Sequence, residues 1–378
     1  MAKLSYNELK DYVNGIVTVA KLSNASFSET RNNVVGLLDK IGKIVTLDTV
    51  YNVDKLARFD GEYLSFGKSI EEWSQDLIMP VDYDSDGANA LSPYNPTYRP
   101  VFYSYTLGKK VIAESIRNND IERAVHFTEQ FVSIVAMQYK RLEDSMAVYR
   151  YQLKREILGK LCAIAEGLMD PSNATGLAET SGSKTVAVGT TYKSSAGTPT
   201  INGVFICVKP ATALTATLQD LIDDGYLIKL DLVQTMTAVT DEASGEAFLQ
   251  QVKADVEKAQ DLCEGVSFNG NSLGATEGLV LIVKQGLMPI IDVQTLAGAF
   301  HLEKVAVPVE IVVVKDFGSA NSGEFAVLMD SRGMRLHNTY NATRENLNGK
   351  GDFLNLFRHT EDTGYISRNT FVKVYKTA

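Results

Sequence analysis

The chain of 378 residues carries 46 acidic against 37 basic side chains, a formal net charge of −9, with 45% hydrophobic and 22% charged residues. That balance fits one elaborate folded domain or two. It excludes a protein built chiefly to grip nucleic acid, which needs a basic surplus.

Residues 5–20 and 28–45 have helical spacing; in the second, Ser28 can cap and Val35, Leu38, Ile41 and Val45 share a face. Residues 58–70 alternate, with Leu64, Phe66, Lys68 and Ile70 on one side and Ser65, Gly67 and Ser69 on the other, which predicts a strand. Ser69 and Glu72 have capping-box spacing, so a short helix is expected to about residue 77, before Pro80. A loop over 81–100 and an aromatic strand over 101–111, "VFYSYTLGKKV", complete an extended hairpin.

From 126 to 168 there is no proline, and Leu142, Met146, Tyr149, Leu153, Ile157, Leu161, Ile164 and Leu168 hold one apolar stripe. A helix of that extent is roughly 65 Å long at about 1.5 Å per residue. A compact globe of this chain has a radius of gyration of roughly 21 Å, about 55 Å across, so the helix implies a flat or elongated subunit. Residues 171–210, rich in Ser, Thr, Gly and Ala, suggest a loop or hairpin insertion. A short helix in "TALTATLQDLIDDGY" and a β-like run, "LIKLDLVQTMTAVT", follow. Over 243–264 Phe248, Val252, Val256 and Leu262 mark another amphipathic helix. Strands at "GLVLIV", "VPVEIVVV", "EFAVLM" and the closing "GYISRNTFVKVYKT", with a helix capped by Asp292, give an α+β chain.

Several motifs approach a chemistry without completing it. Gly67, Lys68 and Ser69 have the order of a phosphate loop, but five residues rather than four separate Gly61 from Gly67. Asp82, Asp84, Asp86 and Gly87 match the start of a calcium loop, whose twelfth position, normally Glu, is Pro93 here; a solvated acidic tip is the plainer expectation. His126, His301, His337 and His359 are scattered, without metal-ligand spacing or a nucleophile motif. Catalytic and cofactor-binding residues are therefore expected to be absent. The three cysteines, Cys162, Cys207 and Cys263, are too widely spaced for a disulfide framework and suit a reducing compartment. Arg150, Lys154, Arg155 and Lys160 form a basic run on the long helix, expected to be a solvated face, with an acidic partner or packaged DNA as the functional alternative. The start, "MAKLSYNELKDY", lacks the apolar core of a secretory signal, and no apolar run is long enough to cross a bilayer, so no membrane partner is expected.

The order of these elements resembles the major capsid proteins of tailed bacteriophages with the Hong Kong 97 fold, nearest to the phi-29 type of small podoviruses. The likeness rests on "VVGLLDKIGKIV", "LSFGKSIEEWSQDL", "FVSIVAMQY" through "YRYQLKREIL", "LVLIVKQGLMPIIDVQTLAGAFHL", "VVVKDFGS" and "FAVLMDSRGMRLHNT", in that order, and excludes about 171–240. It implies an N-terminal arm at 1–57 and an E-loop hairpin at 58–110. A P-domain follows at 111–264 with its spine helix and an insertion at about 171–240, then an A-domain at 265–325 and a return to the P-domain at 326–378. It also implies self-assembly into hexamers and pentamers of an icosahedral or prolate head enclosing double-stranded DNA. Scaffolding and portal proteins would be partners, assembly would take place in the host cytoplasm, and the E-loop would lie over a neighbour through Leu64, Phe66, Ile70, Trp73, Tyr103 and Tyr105. The alternatives are a cellular nanocompartment shell of the same fold and, less in keeping with the motifs, a soluble nucleotide- or calcium-dependent enzyme.

Overall fold

The computed structural model describes residues 54–65, 67, 69–75, 98–103, 105–117, 128–261, 265–271, 278–289, 309–318, 323–350 and 353–378. The expected helices before residue 54, the acidic loop with Asp82, Asp84 and Asp86, and the helix at Asp292 lie outside them.

The apolar stripe forms one uninterrupted helix, Thr128–Met169. Leu153, Ile157, Leu158, Leu161, Cys162 and Ala165 on its second half are buried in the main core. They face a five-stranded sheet assembled from β10 (Val233–Met236), β13 (Leu279–Lys284), β14 (Glu310–Val314), β15 (Glu324–Asp330) and β18 (Val372–Thr377), in the order β10-β18-β15-β13-β14. Every residue of β15 and the first five of β13 are buried, because the helix Glu242–Gln260 covers the opposite face with Phe248, Val252, Val256 and Ala259. A strand covered on both faces reads as a continuous apolar run, which is what "LVLIV" and "FAVLM" are. Each fully buried Leu, Val, Ile or Phe contributes about 1.5–3 kcal/mol.

The helix's first half lies on a second sheet, order β16-β17-β3, built from β3 (Tyr105–Arg117), β16 (Met334–Asn348) and β17 (Phe353–Ile366). Ile116, Leu142, Met146, Leu354 and Leu356 are buried there. The insertion after the helix is a small module, not an irregular loop. It holds a sheet of β4 (Thr175–Leu177), β6 (Thr191–Ser194), β7 (Phe205–Cys207) and β9 (Leu227–Lys229), and a ribbon of β5 (Gly182–Val186) with β8 (Ala211–Ala216). Tyr192, Phe205, Cys207, Leu218, Leu221 and Leu227 form its own core. Its short helix, Leu218–Asp223, starts on a Thr217–Asp220 capping box. The segment 212–216, expected as the start of that helix, belongs to β8. A two-residue ribbon, β11 (Val266–Ser267) with β12 (Gly270–Asn271), precedes β13.

Two local expectations near the hairpin fail for physical reasons. Among the described residues of 58–69 there is no strand. Ala57–Phe59 is a 3-10 turn, and the chain then rides along β16, with Gly61 N donating to Leu336 O at 2.9 Å and Leu64 N to Asn338 O at 2.9 Å. Donors three residues apart cannot continue a period-two ladder. The helix predicted from Ser69 is instead β1 (Ile70–Gln75), paired residue for residue with β2 (Tyr98–Tyr103). Nucleating a two-turn helix is costly, whereas the aromatic strand opposite pairs with β1 along its whole length. The strand expected over 101–111 divides accordingly into β2 and β3, and β3 pairs with β17 outside the hairpin.

Candidate inter-subunit surface

The ribbon β1–β2 is antiparallel, with Trp73 opposite Pro100 and Ile70 opposite Tyr103. Proline is tolerated there because an edge strand does not need every N–H. Glu72 ties the ribbon to its own chain: its Oε1 accepts from Ser367 Oγ at 2.6 Å, and its Oε2 is buried with no hydrogen-bond partner among the described residues. Burial, with the Glu72 carboxylate close by, pushes the Tyr365 phenol up from its ordinary value. Alternation then puts Glu71 and Trp73 on the other face of β1. Both are exposed, Trp73 by 61%.

Of the residues expected at a subunit contact, Leu64 is half-buried and bonded through its backbone to Asn338, Ile70 is half-buried, and Tyr103 and Tyr105 sit in β2 and β3. Phe66 lies outside the described residues. The structure brings Ile70, Trp73 and Tyr103 onto one ribbon, with Leu64 just before it and Tyr105 just after.

The phosphate-loop likeness dissolves. Gly67, with φ of +76°, leads into a strand, and no helix N-terminus follows to receive a phosphate. His337 Nδ1 donates to Glu62 O at 2.9 Å, a structural bond that seats residues 61–64 on β16. Cys162 and Cys207 are buried, and burial pushes the Cys162 thiol up, away from the reactive thiolate. Among the described residues no group of three or more His, Cys, Asp or Glu could hold a metal ion, and no helix is long and apolar enough to cross a membrane.

The basic run corrects another expectation. Lys154 is 1% exposed, with Nζ at 2.6 Å from Asp54 Oδ2 and 2.8 Å from Asp60 Oδ1. Arg150 pairs with Asp60 at 3.2 Å and Arg155 with Asp316 at 2.8 Å. These cations clamp crossing chain segments to the helix and are not a solvated face. Periodicity could not reveal this, because the carboxylates arrive from distant sequence.

Sequence reading also missed the β16–β17 hairpin. Its turn carries the Asn348-Gly349 pair, a strong hairpin signal, but the polar flanks "TRENLN" hid the strands. On the sheet face turned away from the long helix, the Lys109 ammonium lies 3.8 Å from the centre of the Tyr340 ring, and Arg344 hydrogen-bonds the Tyr340 hydroxyl.

The family model for the Phi29-like phage major capsid protein matches residues 4–372. No curated protein matches the chain. Among solved structures, the capsid structure of Staphylococcus phage Andhra is similar at a TM-score of 0.50 and 11% identity, over 87% of this chain and 84% of that one. A chain from the head-fiber and inner-core structure of native bacteriophage P68 is similar at a TM-score of 0.50 and 9% identity, over 84% and 83%. At such identities these two likenesses speak for the α+β capsid fold alone. The chain belongs to the Phi29-like phage major capsid proteins, the structural subunits that form the head shell of the virion.

Proposed function

We propose that the subunit assembles into hexamers and pentamers that close an icosahedral or prolate head around double-stranded DNA, with the β1–β2 ribbon as an E-loop laid over the adjacent subunit. The observation that carries this reading is the exposed Trp73 on a ribbon that, among the described residues, has two strands. Such a ribbon is marginal in water by itself, and an exposed indole is a common anchor at interfaces. In this reading 1–57 is the N-terminal arm, 58–110 contains the E-loop, and the helix Thr128–Met169 is the spine of a P-domain over 111–264. The module at about 171–240 is an insertion, 265–325 is the A-domain, and 326–378 returns to the P-domain. Scaffolding and portal proteins and the packaged DNA are its further partners, assembly takes place in the host cytoplasm, and the subunit acts through repeated contacts without catalytic residues.

Trp73→Ala is the test. The variant is expected to keep the subunit's circular-dichroism melting curve and to lose closed particles under electron microscopy. Normal shells from that variant would remove the anchor role.

A further inference from the structure

We infer that Glu72 is a positioning residue for assembly: it fixes the angle at which the β1–β2 ribbon leaves its own subunit, and so the direction in which Trp73 is presented. This rests on the E-loop reading above and adds what the subunit does before any neighbour arrives.

Both legs of the ribbon are pinned to one segment of the body. The first leg is covalent: β2 ends at Tyr103 and the chain runs on into β3, where Tyr105 pairs with Gly364 of β17. A single crossing of the chain is by itself a hinge. The second leg is β1, whose Glu72 Oε1 accepts from Ser367 Oγ at 2.6 Å, just past the end of the same strand. The Tyr365 phenol, between Gly364 and Ser367 in the chain, is close to the same carboxylate.

The anchor itself is fixed. Ser367 is 1% exposed, its N–H donates to Gly333 O at 2.9 Å, and its Oγ also accepts from Asn369 N at 3.2 Å. Asn269 bonds the following turn twice, through its N to Arg368 O at 3.1 Å and its Nδ2 to Asn369 Oδ1 at 2.7 Å. A ribbon held at two points on such a segment keeps one direction. Alternation sets what that direction presents: Ile70 and Glu72 share one face and are half-buried, and Glu71 and Trp73 share the other and are exposed.

Glu72 Oε2 is buried without a hydrogen-bond partner among the described residues, and an unbonded buried carboxylate oxygen costs stability. The carboxylate therefore adds little to the fold while it aims the ribbon. Without it a neighbour has to order the ribbon as it docks, which weakens assembly.

The test follows the full chain by hydrogen exchange before assembly and by the threshold concentration for shells in negative-stain microscopy. Glu72→Ala is expected to keep the parent's melting temperature, to exchange its β1 amides severalfold faster and to raise the threshold severalfold. Glu72→Gln, whose side-chain carbonyl still accepts from Ser367, is expected to fall between Glu72→Ala and the parent in both readings. Ser367→Ala added to Glu72→Ala is expected to do no further harm, because the pair acts through one bond. Parent-like exchange and threshold in Glu72→Ala overturn the inference. Faster exchange with an unchanged or lower threshold overturns it too, since the contact would then restrain the ribbon and not aim it. Should Glu72→Ala melt lower, Ser367→Ala takes over both readings, and parent-like values there overturn the inference. If Trp73→Ala loses its shells while Glu72→Ala assembles as the parent does, the E-loop reading stands and the positioning role falls. Normal shells from Trp73→Ala remove the anchor that Glu72 aims, and the inference falls with it.

Discussion

Gly159 shows how a single residue reports a packing constraint that its local element opposes. In a helix interior alanine is favoured over glycine by about 1 kcal/mol, yet a Cβ at Gly159 would overlap the Phe317 carbonyl oxygen. That atom is backbone and cannot swing aside. Gly159→Ala is therefore expected to destabilise the unassembled subunit by about 2 kcal/mol, overpacking outweighing propensity, and thermal unfolding would record a lower Tm. Lys154 gives a second residue-scale test. Lys154→Met leaves Asp54 and Asp60 without their shared cation. Both carboxylates retain contact with water, at 27% and 37% side-chain exposure, so the full cost of a broken buried pair does not apply. A loss of about 1–2 kcal/mol in urea unfolding is expected. Glu179 gives a third. Its carboxylate accepts from Ser194 Oγ at 2.7 Å, Thr200 N at 3.0 Å and Ile201 N at 3.1 Å. Together with the Thr200 hydroxyl these bonds hold its pKa at about 2, below the ordinary 4.5, the Thr200 side chain contributing most. A depressed carboxyl stabilises the folded loop fully above pH 4.5, and that contribution drains away as pH falls through about 2. Glu179→Gln should speed hydrogen exchange at the Thr200 and Ile201 amides at neutral pH, and unchanged exchange would refute the staple.

At the scale of elements, legibility tracked burial. The stripe on the long helix was readable because one side of it meets a core along most of its length: Leu142, Met146, Leu153, Ile157 and Leu161 are all buried. Leu161→Ala, at a fully buried position, should cost about 2–5 kcal/mol through lost transfer energy and a cavity, measured as a drop in the urea midpoint. The strands of the five-stranded sheet were legible for the same reason, as apolar runs covered on both sides. Elements decided by long-range pairing were not legible. The stretch from Ser69 carries a helix-start pattern, but its backbone finds partners in Tyr98–Tyr103, and strand won. The stretch 171–210 of the small module read as a loop or hairpin insertion because its strands are three to five residues long. The proposed contact surface was half legible. The sequence singled out Trp73 by its chemistry, while the cluster of Lys109, Tyr340 and Arg344 forms only through the register of a sheet that joins residues 109 and 344 across β17.

For the whole molecule, the architecture is a long helix laid under two sheets, with the β1–β2 ribbon tied to the body through Glu72 and Ser367. Its stability as a monomer comes from the sheet sandwiched between Thr128–Met169 and Glu242–Gln260, and its purpose as a shell subunit from surfaces that this core does not use. Folding and assembly should therefore separate: core substitutions such as Leu161→Ala lower the melting temperature of the free subunit, and ribbon substitutions leave it unchanged. The most direct measurement is a cryo-electron-microscopy map of particles assembled from the purified chain. The account predicts closed shells in which density for residues 70–103 of each subunit lies across the body of an adjacent one. Closed shells whose ribbons fold back on their own subunits, or a chain that stays monomeric at every concentration tried, would contradict it.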